Sequence, residues 1–317
     1  MSSPSTSKLE DHNDLSNEFY DGATRVLEGV WGKSFHNARF HPGESIKSAV
    51  SRHEIYLASQ IPLRAGMRVL DVGCGIGNPT LNIAKFTDTN IVGVNNNAAQ
   101  IQKANQLAKQ AGMSDKVSFV VGDFMKLAEQ FGENSFDAVF AIEATMHAPS
   151  LAGVYTEIRK VLKPGGVFGV YEYCMTDNWD PSNPEHKEFA RIFEVGVGIP
   201  EMRSCSQVRE AVAAAGLQLE YHDDLTQRPA AIPWYYPFQG KWSKTQARED
   251  LMTVWKMSPL GQFTILSIIR MMELLRLAPK GTHEVVEHFK HAIAAYVKGG
   301  QTKLFTPQYL VIARKPQ

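Results

Sequence analysis

The residues with the clearest chemical content lie between Leu70 and Pro79, which read Leu-Asp-Val-Gly-Cys-Gly-Ile-Gly-Asn-Pro. Glycines at 73, 75 and 77 leave the backbone bare, so a ligand can approach it without meeting a Cβ atom. The dinucleotide fingerprint spaces its glycines G-x-G-x-x-G to seat a pyrophosphate on a helix N-terminus. Here the spacing is G-x-G-x-G, with Asp71 two residues ahead of the first glycine. That spacing disfavours a nicotinamide oxidoreductase, and an acid so close suits an amine or a sulfonium. The ligand implied is S-adenosylmethionine, held by Asp71, Gly73, Cys74, Gly75 and Gly77; a nucleotide phosphate loop and a plain tight turn are the alternatives.

Asn95-Asn96-Asn97 follow where an adenosyl ribose needs hydrogen-bond acceptors, and amide oxygens accept without adding charge. Asn95, Asn97 and Gln100 are therefore expected to bind the cofactor, with Asp123 on the adenine amino group and Phe124 against its ring. Glu143, also a cofactor candidate, and His147 stand four residues apart as a proton-handling pair. Glu143 would accept the proton and His147 would relay it or orient Glu143; a structural pair capping the next helix is the alternative. Glu172 is the third catalytic candidate, followed by Asp177 and, in the N-terminal region, Glu44, His53 and Glu54. No metal is expected, because the ten histidines show no H-E-x-x-H or comparable spacing.

These residues need a scaffold, and the chain alternates in a way that supplies one. Short apolar runs at Met67–Val72, Asn90–Val94, Val117–Val121, Asp137–Ile142 and Val167–Tyr173 predict strands. Helical stretches fall between them at Pro79–Phe86, Ala98–Gln110 and Gly153–Leu162, the last ending at the turn Lys163-Pro164-Gly165-Gly166. The alternation predicts an α/β fold, a doubly wound and mostly parallel sheet covered on both faces. A helix at Ser45–Ala58 precedes it. After Asp177 the pattern loosens, with a helix at Ser206–Ala215, a strand at Leu217–Tyr221 and an aromatic, Pro-punctuated loop at Ile232–Phe238. Helices at Phe263–Leu277 and His283–Val297 precede a strand at Gln308–Arg314 that is expected to return to the sheet. The domain reading is a disordered tail at 1–14, an N-terminal helical cap at 15–62, a cofactor-binding core at 63–223, and a C-terminal region at 224–317 with a helical insertion.

Composition narrows the partners. Lys+Arg and Asp+Glu are 33 each, so the formal charge is zero and nothing argues for nucleic acid. Three scattered cysteines, Cys74, Cys174 and Cys205, suit a reducing compartment and no disulfide framework. No signal peptide is evident, and no run reaches the length of a membrane span. The expected location is cytoplasmic.

Beyond the glycine loop, several segments together resemble the sterol 24-C-methyltransferases. They are Asn95–Asn97, Gly122–Lys126, Ala141–Thr145, His147–Pro149, Val161–Gly166, Tyr171–Asp177 and Ile232–Pro237. The likeness runs from about Trp31 to Pro316, and the Glu143–Pro149 and Trp234–Pro237 segments are the more family-specific parts. The resemblance implies the class I methyltransferase fold and methyl transfer from S-adenosylmethionine to the side-chain alkene of a sterol or similar triterpenoid. It implies substrate contacts by Trp31, Phe35, Met146, Tyr171, Tyr173, Trp234, Tyr235 and Tyr236, whose aromatic faces would stabilise a carbocation.

The chain departs from the family's aromatic Tyr-Glu-Tyr-Gly-Trp-Gly motif, carrying Leu27, Glu28, Gly29, Val30, Trp31 and Gly32 instead. Met146 stands where Cys is usual and Asn78 where Gly is usual. These changes keep open a second reading, a related methyltransferase acting on another hydrophobic terpenoid or polyketide-type natural product. A cofactor-binding scaffold without catalysis is a third. The apolar stripe on the helix at Phe263–Leu277 is expected to form core, a homo-oligomer interface, a substrate tunnel or a peripheral membrane contact, at the endoplasmic reticulum or a lipid droplet.

Overall fold

Backbone pairing in the computed structural model, which describes residues 34, 36–278 and 281–317, turns the alternation into one seven-stranded sheet. Its first strands and helices are α1 (Ile46–Gln60), β1 (Arg68–Val72), α2 (Asn78–Thr87), β2 (Asn90–Asn95), α3 (Ala98–Gln110), β3 (Val117–Val121), α4 (Leu127–Phe131) and β4 (Phe136–Ile142). There follow α5 (Leu151–Val161), β5 (Leu162–Met175), α6 (Pro184–Val197), α7 (Cys205–Ala214) and β6 (Gln218–Asp224). The chain closes with α8 (Leu251–Met257), α9 (Pro259–Leu274), α10 (Thr282–Thr302) and β7 (Phe305–Arg314).

The strand order is β3-β2-β1-β4-β5-β7-β6. Strands β1 to β5 run parallel and β7 lies antiparallel between β5 and β6. β1 is buried along Val69–Val72, with Leu70 opposite Val92 on one side and Val139 on the other. One face of the sheet packs on α5 and α7 through Val154, Ile158, Val208 and Val212. The other packs on α1, α2 and α3 through Leu57, Ile83 and Ala104. Strands covered on both faces are the reason these segments read as unbroken apolar runs. Because the strand order reverses between β1 and β4, a crevice opens at their carboxyl ends, the usual ligand position in such sheets.

Two local features differ from the sequence expectation. The turn at Lys163–Gly166 is carried inside β5, where the register jumps from Phe136–Leu162 to Ala138–Val167 and Gly165 takes φ +75°. Helix α6 occupies the stretch where periodicity loosens; Asn183 caps it, Pro184 opens it and Glu185 sits in its first turn. Residues 225–304 connect β6 to β7, so the aromatic loop and helices α8 to α10 form one long excursion beside the sheet edge. The expectations for residues 1–14, Leu27 to Gly32 and Phe35 lie outside the described residues.

Candidate active site

The crevice is built from chain ends that the sheet brings together. Gly73, Cys74 and Gly75 come from the turn after β1, Asn95 and Asn96 from the end of β2, and Gln100 from α3. Phe124 follows β3, Ile142 ends β4, and Glu143, Ala144 and His147 follow it, while Ser34 and His36 reach in from the N-terminal segment. Two glycines have distinct reasons. A Cβ on Gly73 would fall 2.3 Å from Ala144 Cβ, so this glycine lets β1 and β4 close up. Gly75, with φ +53°, would place its Cβ in open space, which is the surface a ligand needs.

Asn95 Nδ2 donates to Gln100 Oε1 at 2.7 Å, and its own carbonyl oxygen can accept from a ribose hydroxyl. Three of the cofactor candidates do not line the crevice. Gly77 sits where a Cβ would meet the Phe119 ring at 2.4 Å, packing helix against strand. Asn97 caps α3 by accepting from Gln100 N at 2.9 Å, and Asp123 accepts from Met125 N at 2.8 Å to open the short turn that follows β3.

Two buried carboxyls flank the crevice. Asp71 accepts from Thr80 Oγ1 at 2.5 Å, yet burial pushes its pKa up to about 7. Glu143 follows β4 with φ +49°, a left-handed conformation that costs a side-chain-bearing residue about 1–2 kcal/mol. Its Oε1 accepts from Asn37 N at 2.8 Å and its Oε2 from Asn37 Nδ2 at 3.3 Å. Burial pushes Glu143 up to about 7 as well, against the opposing pull of His36 and these donors. His36 Nε2 lies 2.9 Å from Glu54 Oε1; burial works against its charge, but the Glu54 carboxylate prevails and raises its pKa. Ser34 Oγ and Asn82 Nδ2 donate to the same Glu54 at 3.0 and 2.6 Å. The Cys74 thiol is pushed well above its ordinary range by burial, so it stays protonated.

His147 Nδ1 lies 2.9 Å from Gly198 O. A carbonyl can only accept, so Nδ1 carries the proton and Nε2 is the lone-pair nitrogen when the ring is neutral. Glu172 stands apart. It is fully buried on the opposite face of β5, accepting from Tyr155 OH at 2.8 Å and from Thr145 Oγ1. It braces the turn that carries His147, and it does not line the crevice.

The aromatic candidates divide among several environments. Tyr171 stacks on His53 at 3.8 Å inside the core. Tyr173 reaches the site: its hydroxyl accepts from Asn37 Nδ2 at 2.7 Å and lies 2.8 Å from Tyr296 OH. Met146, Tyr173 and Trp234 join Phe193, Tyr296 and Phe305 in one buried cluster, with Tyr173–Phe305 and Trp234–Phe305 centroids 5.3 and 6.0 Å apart. Tyr235 lines a separate cavity, and Tyr236 packs edge-on against Phe40 at 4.7 Å. His36, Asn37 and Tyr296 carry no sequence signal of their own; their partners are remote in the chain.

Paired buried acids beside a bare glycine turn fit a cationic ligand with a ribose. Comparison with known proteins identifies it. The methyltransferase-domain family matches residues 63–213 and the sterol methyltransferase C-terminal family matches 252–317. The sterol 24-C-methyltransferase of Yarrowia lipolytica is 46% identical over 98% of this chain and 81% of its own length. The chain belongs to the sterol 24-C-methyltransferase family. Its relative in Aspergillus fumigatus is 48% identical over 96% of this chain and 80% of that protein. Among solved structures, the mycolic acid cyclopropane synthase CmaA1 superposes with a TM-score of 0.73 at 17% identity, covering 96% of this chain and 98% of the other, which shows a shared fold. Membership of this family makes S-adenosylmethionine the cofactor.

The state of Asp71 has a consequence. Its pKa is about 7 in the folded protein against 3.8 for an ordinary aspartate, so the folded state holds a proton that the unfolded state has released. Its contribution to stability therefore falls as pH rises from about 4 to 7 and is flat above. Asp71→Asn is expected to be no less heat-stable than the parent at pH 8, yet to bind S-adenosylmethionine at least about tenfold more weakly by calorimetry. Unchanged affinity would remove Asp71 from the cofactor site.

Proposed function

We propose that the protein transfers a methyl group to the side-chain double bond of a sterol, with Glu143 taking the proton released afterwards. The observation that carries this reading is Glu143 itself, a buried carboxyl titrating at about 7 at the mouth of the cofactor crevice and joined through Asn37 to the aromatic cluster. Bound S-adenosylmethionine supplies an activated methyl on a sulfonium. An alkene is a weak neutral nucleophile, so the protein must orient it, shelter the positive charge that methylation leaves on carbon, and remove a proton to restore a double bond. Asp71 and Glu143 favour a cation in the crevice. Tyr173 and Tyr296, which reach Glu143 through Asn37, present ring faces, each worth about 0.5–2 kcal/mol to a desolvated cation. Asn37 holds both carboxylate oxygens of Glu143 in one orientation. His147 Nε2 is a second acceptor at the crevice wall.

Incubation with methyl-labelled S-adenosylmethionine is expected to place label on a side-chain carbon of alkene-bearing sterols and on none with saturated side chains. Glu143→Gln should lower kcat by about 10²- to 10⁴-fold, the usual share of a general base. In the parent, kcat/KM should rise with pH through about 7, as Glu143 of the free enzyme ionises, and then level. Label on oxygen or nitrogen, or a fully active Glu143→Gln, would reject the reading.

The same substrate class bears on location. Among the described residues no helix is long and apolar enough to cross a membrane. Helix α9 nevertheless exposes Leu260, Phe263, Ile268, Met271 and Leu274, with Phe263 70% and Leu274 83% accessible. Such a surface supports shallow docking on a lipid surface that holds the sterol, and it is also the face best suited to self-association. Replacing Phe263 and Leu274 by Glu is expected to abolish flotation with sterol-bearing vesicles while leaving activity on detergent-dispersed sterol intact. Unchanged flotation would exclude docking through α9.

A further inference from the structure

A second cavity, of about 190 Å³, lies between the aromatic loop and the end of α10 and shares no lining residue with the cofactor crevice. Its walls include Trp234, Tyr235 and Phe305, and among the described residues its charged lining is Arg39, Arg228 and Lys303, with no carboxylate. Arg228 is already paired with Asp223 at 2.6 Å. Among the described residues no acid pairs with Arg39: its Nη2 donates to Pro229 O at 2.9 Å, while its Nε is buried without a hydrogen-bond partner. A buried donor left unmade costs about 1–3 kcal/mol, so this guanidinium is held in place at a cost. Burial first, then repulsion from Arg228 and Arg52, lowers the Arg39 pKa against the opposing pull of Asp223.

Lys303 adds a second observation. It closes α10 with φ +57°, in the left-handed conformation that helix ends usually give to Gly or Asn. Strain held at a lining residue is a pointer to function. The cavity is also wrong for the methylation chemistry, since three positive groups would repel a carbocation. Trp234 and Tyr235, expected from the sequence to face that cation, here wall a space with the opposite preference.

We propose that this cavity binds an amphipathic oxyanion, a carboxylate, sulfate or phosphate group on an apolar body. Arg39 and Lys303 take the charged group, and Trp234 and Phe305 lie against the apolar part. The pairing of hydrogen-bonding cations with aromatic faces is what such a ligand requires. Binding here is independent of methyl transfer, although Trp234 and Phe305 also belong to the cluster that reaches Tyr173.

Calorimetric titration of the full chain with octyl phosphate, below its micelle concentration, tests the proposal. One site is expected, with affinity falling as salt rises. Lys303→Glu should weaken it by about tenfold or more, on the scale of losing one charge partner, and Arg39→Gln should do likewise. Lys303 is exposed, so its variant should fold, and retained S-adenosylmethionine binding will show that it has. Octyl glucoside binding as tightly as octyl phosphate, or Lys303→Glu binding octyl phosphate like the parent, would overturn the proposal. Inorganic phosphate binding as tightly as octyl phosphate would show that the apolar body adds nothing and would likewise overturn it. Recruitment of the parent, but not of Lys303→Glu, to phosphatidic acid vesicles would identify a lipid headgroup.

Discussion

The site depends on keeping one carboxyl, that of Glu143, out of water but not alone. A buried carboxylate is costly unless hydrogen-bonded, and the donors come from Asn37, 106 residues away in sequence. Satisfying Glu143 therefore requires the N-terminal segment to lie over the end of β4. That segment is itself held by His36 and Ser34 on Glu54 of α1. Tyr173 on β5 and Tyr296 on α10 extend the same hydrogen-bonded chain. Four remote parts of the chain thus meet at one side chain, and its left-handed backbone is tolerated because its surroundings over-determine it.

Much of the scaffold was legible in the sequence because it rests on local or periodic signals. Doubly covered strands produce apolar runs, and glycines with positive φ mark the turn after β1. The final strand's return to the sheet was readable from its alternation. Helix α6 was missed although its signature, Asn-Pro-Glu at 183–185, is a regular cap followed by proline and an acid. Cap chemistry supplies another reason for two of the candidates. Asn97 and Asp123 stand just before helical turns, where Asn and Asp bond to the backbone ahead of them, and that role was available without a ligand.

The site itself was only half legible. The residues that line the crevice cluster in sequence because most come from the end of a strand. The residues that tune Glu143 do not, since His36, Asn37 and Tyr296 act across distances that no spacing encodes. Glu172 is instructive in another way. Tyr171 and Tyr173 point to one face of β5, so the residue between them must point to the other. Strand alternation alone separates Glu172 from Glu143. The consecutive aromatics Trp234, Tyr235 and Tyr236 likewise meet different surroundings, because an irregular loop gives each its own direction.

The most direct measurement of the central claim is carbon-13 NMR of the side-chain carboxyls across pH, with Glu143→Gln assigning the resonance of Glu143. The account predicts titration near 7 in the free protein, moving to lower pH when S-adenosylmethionine binds, because a cation in the crevice favours the ionised form. A Glu143 carboxyl that titrates near its ordinary value, or is indifferent to the cofactor, would contradict it.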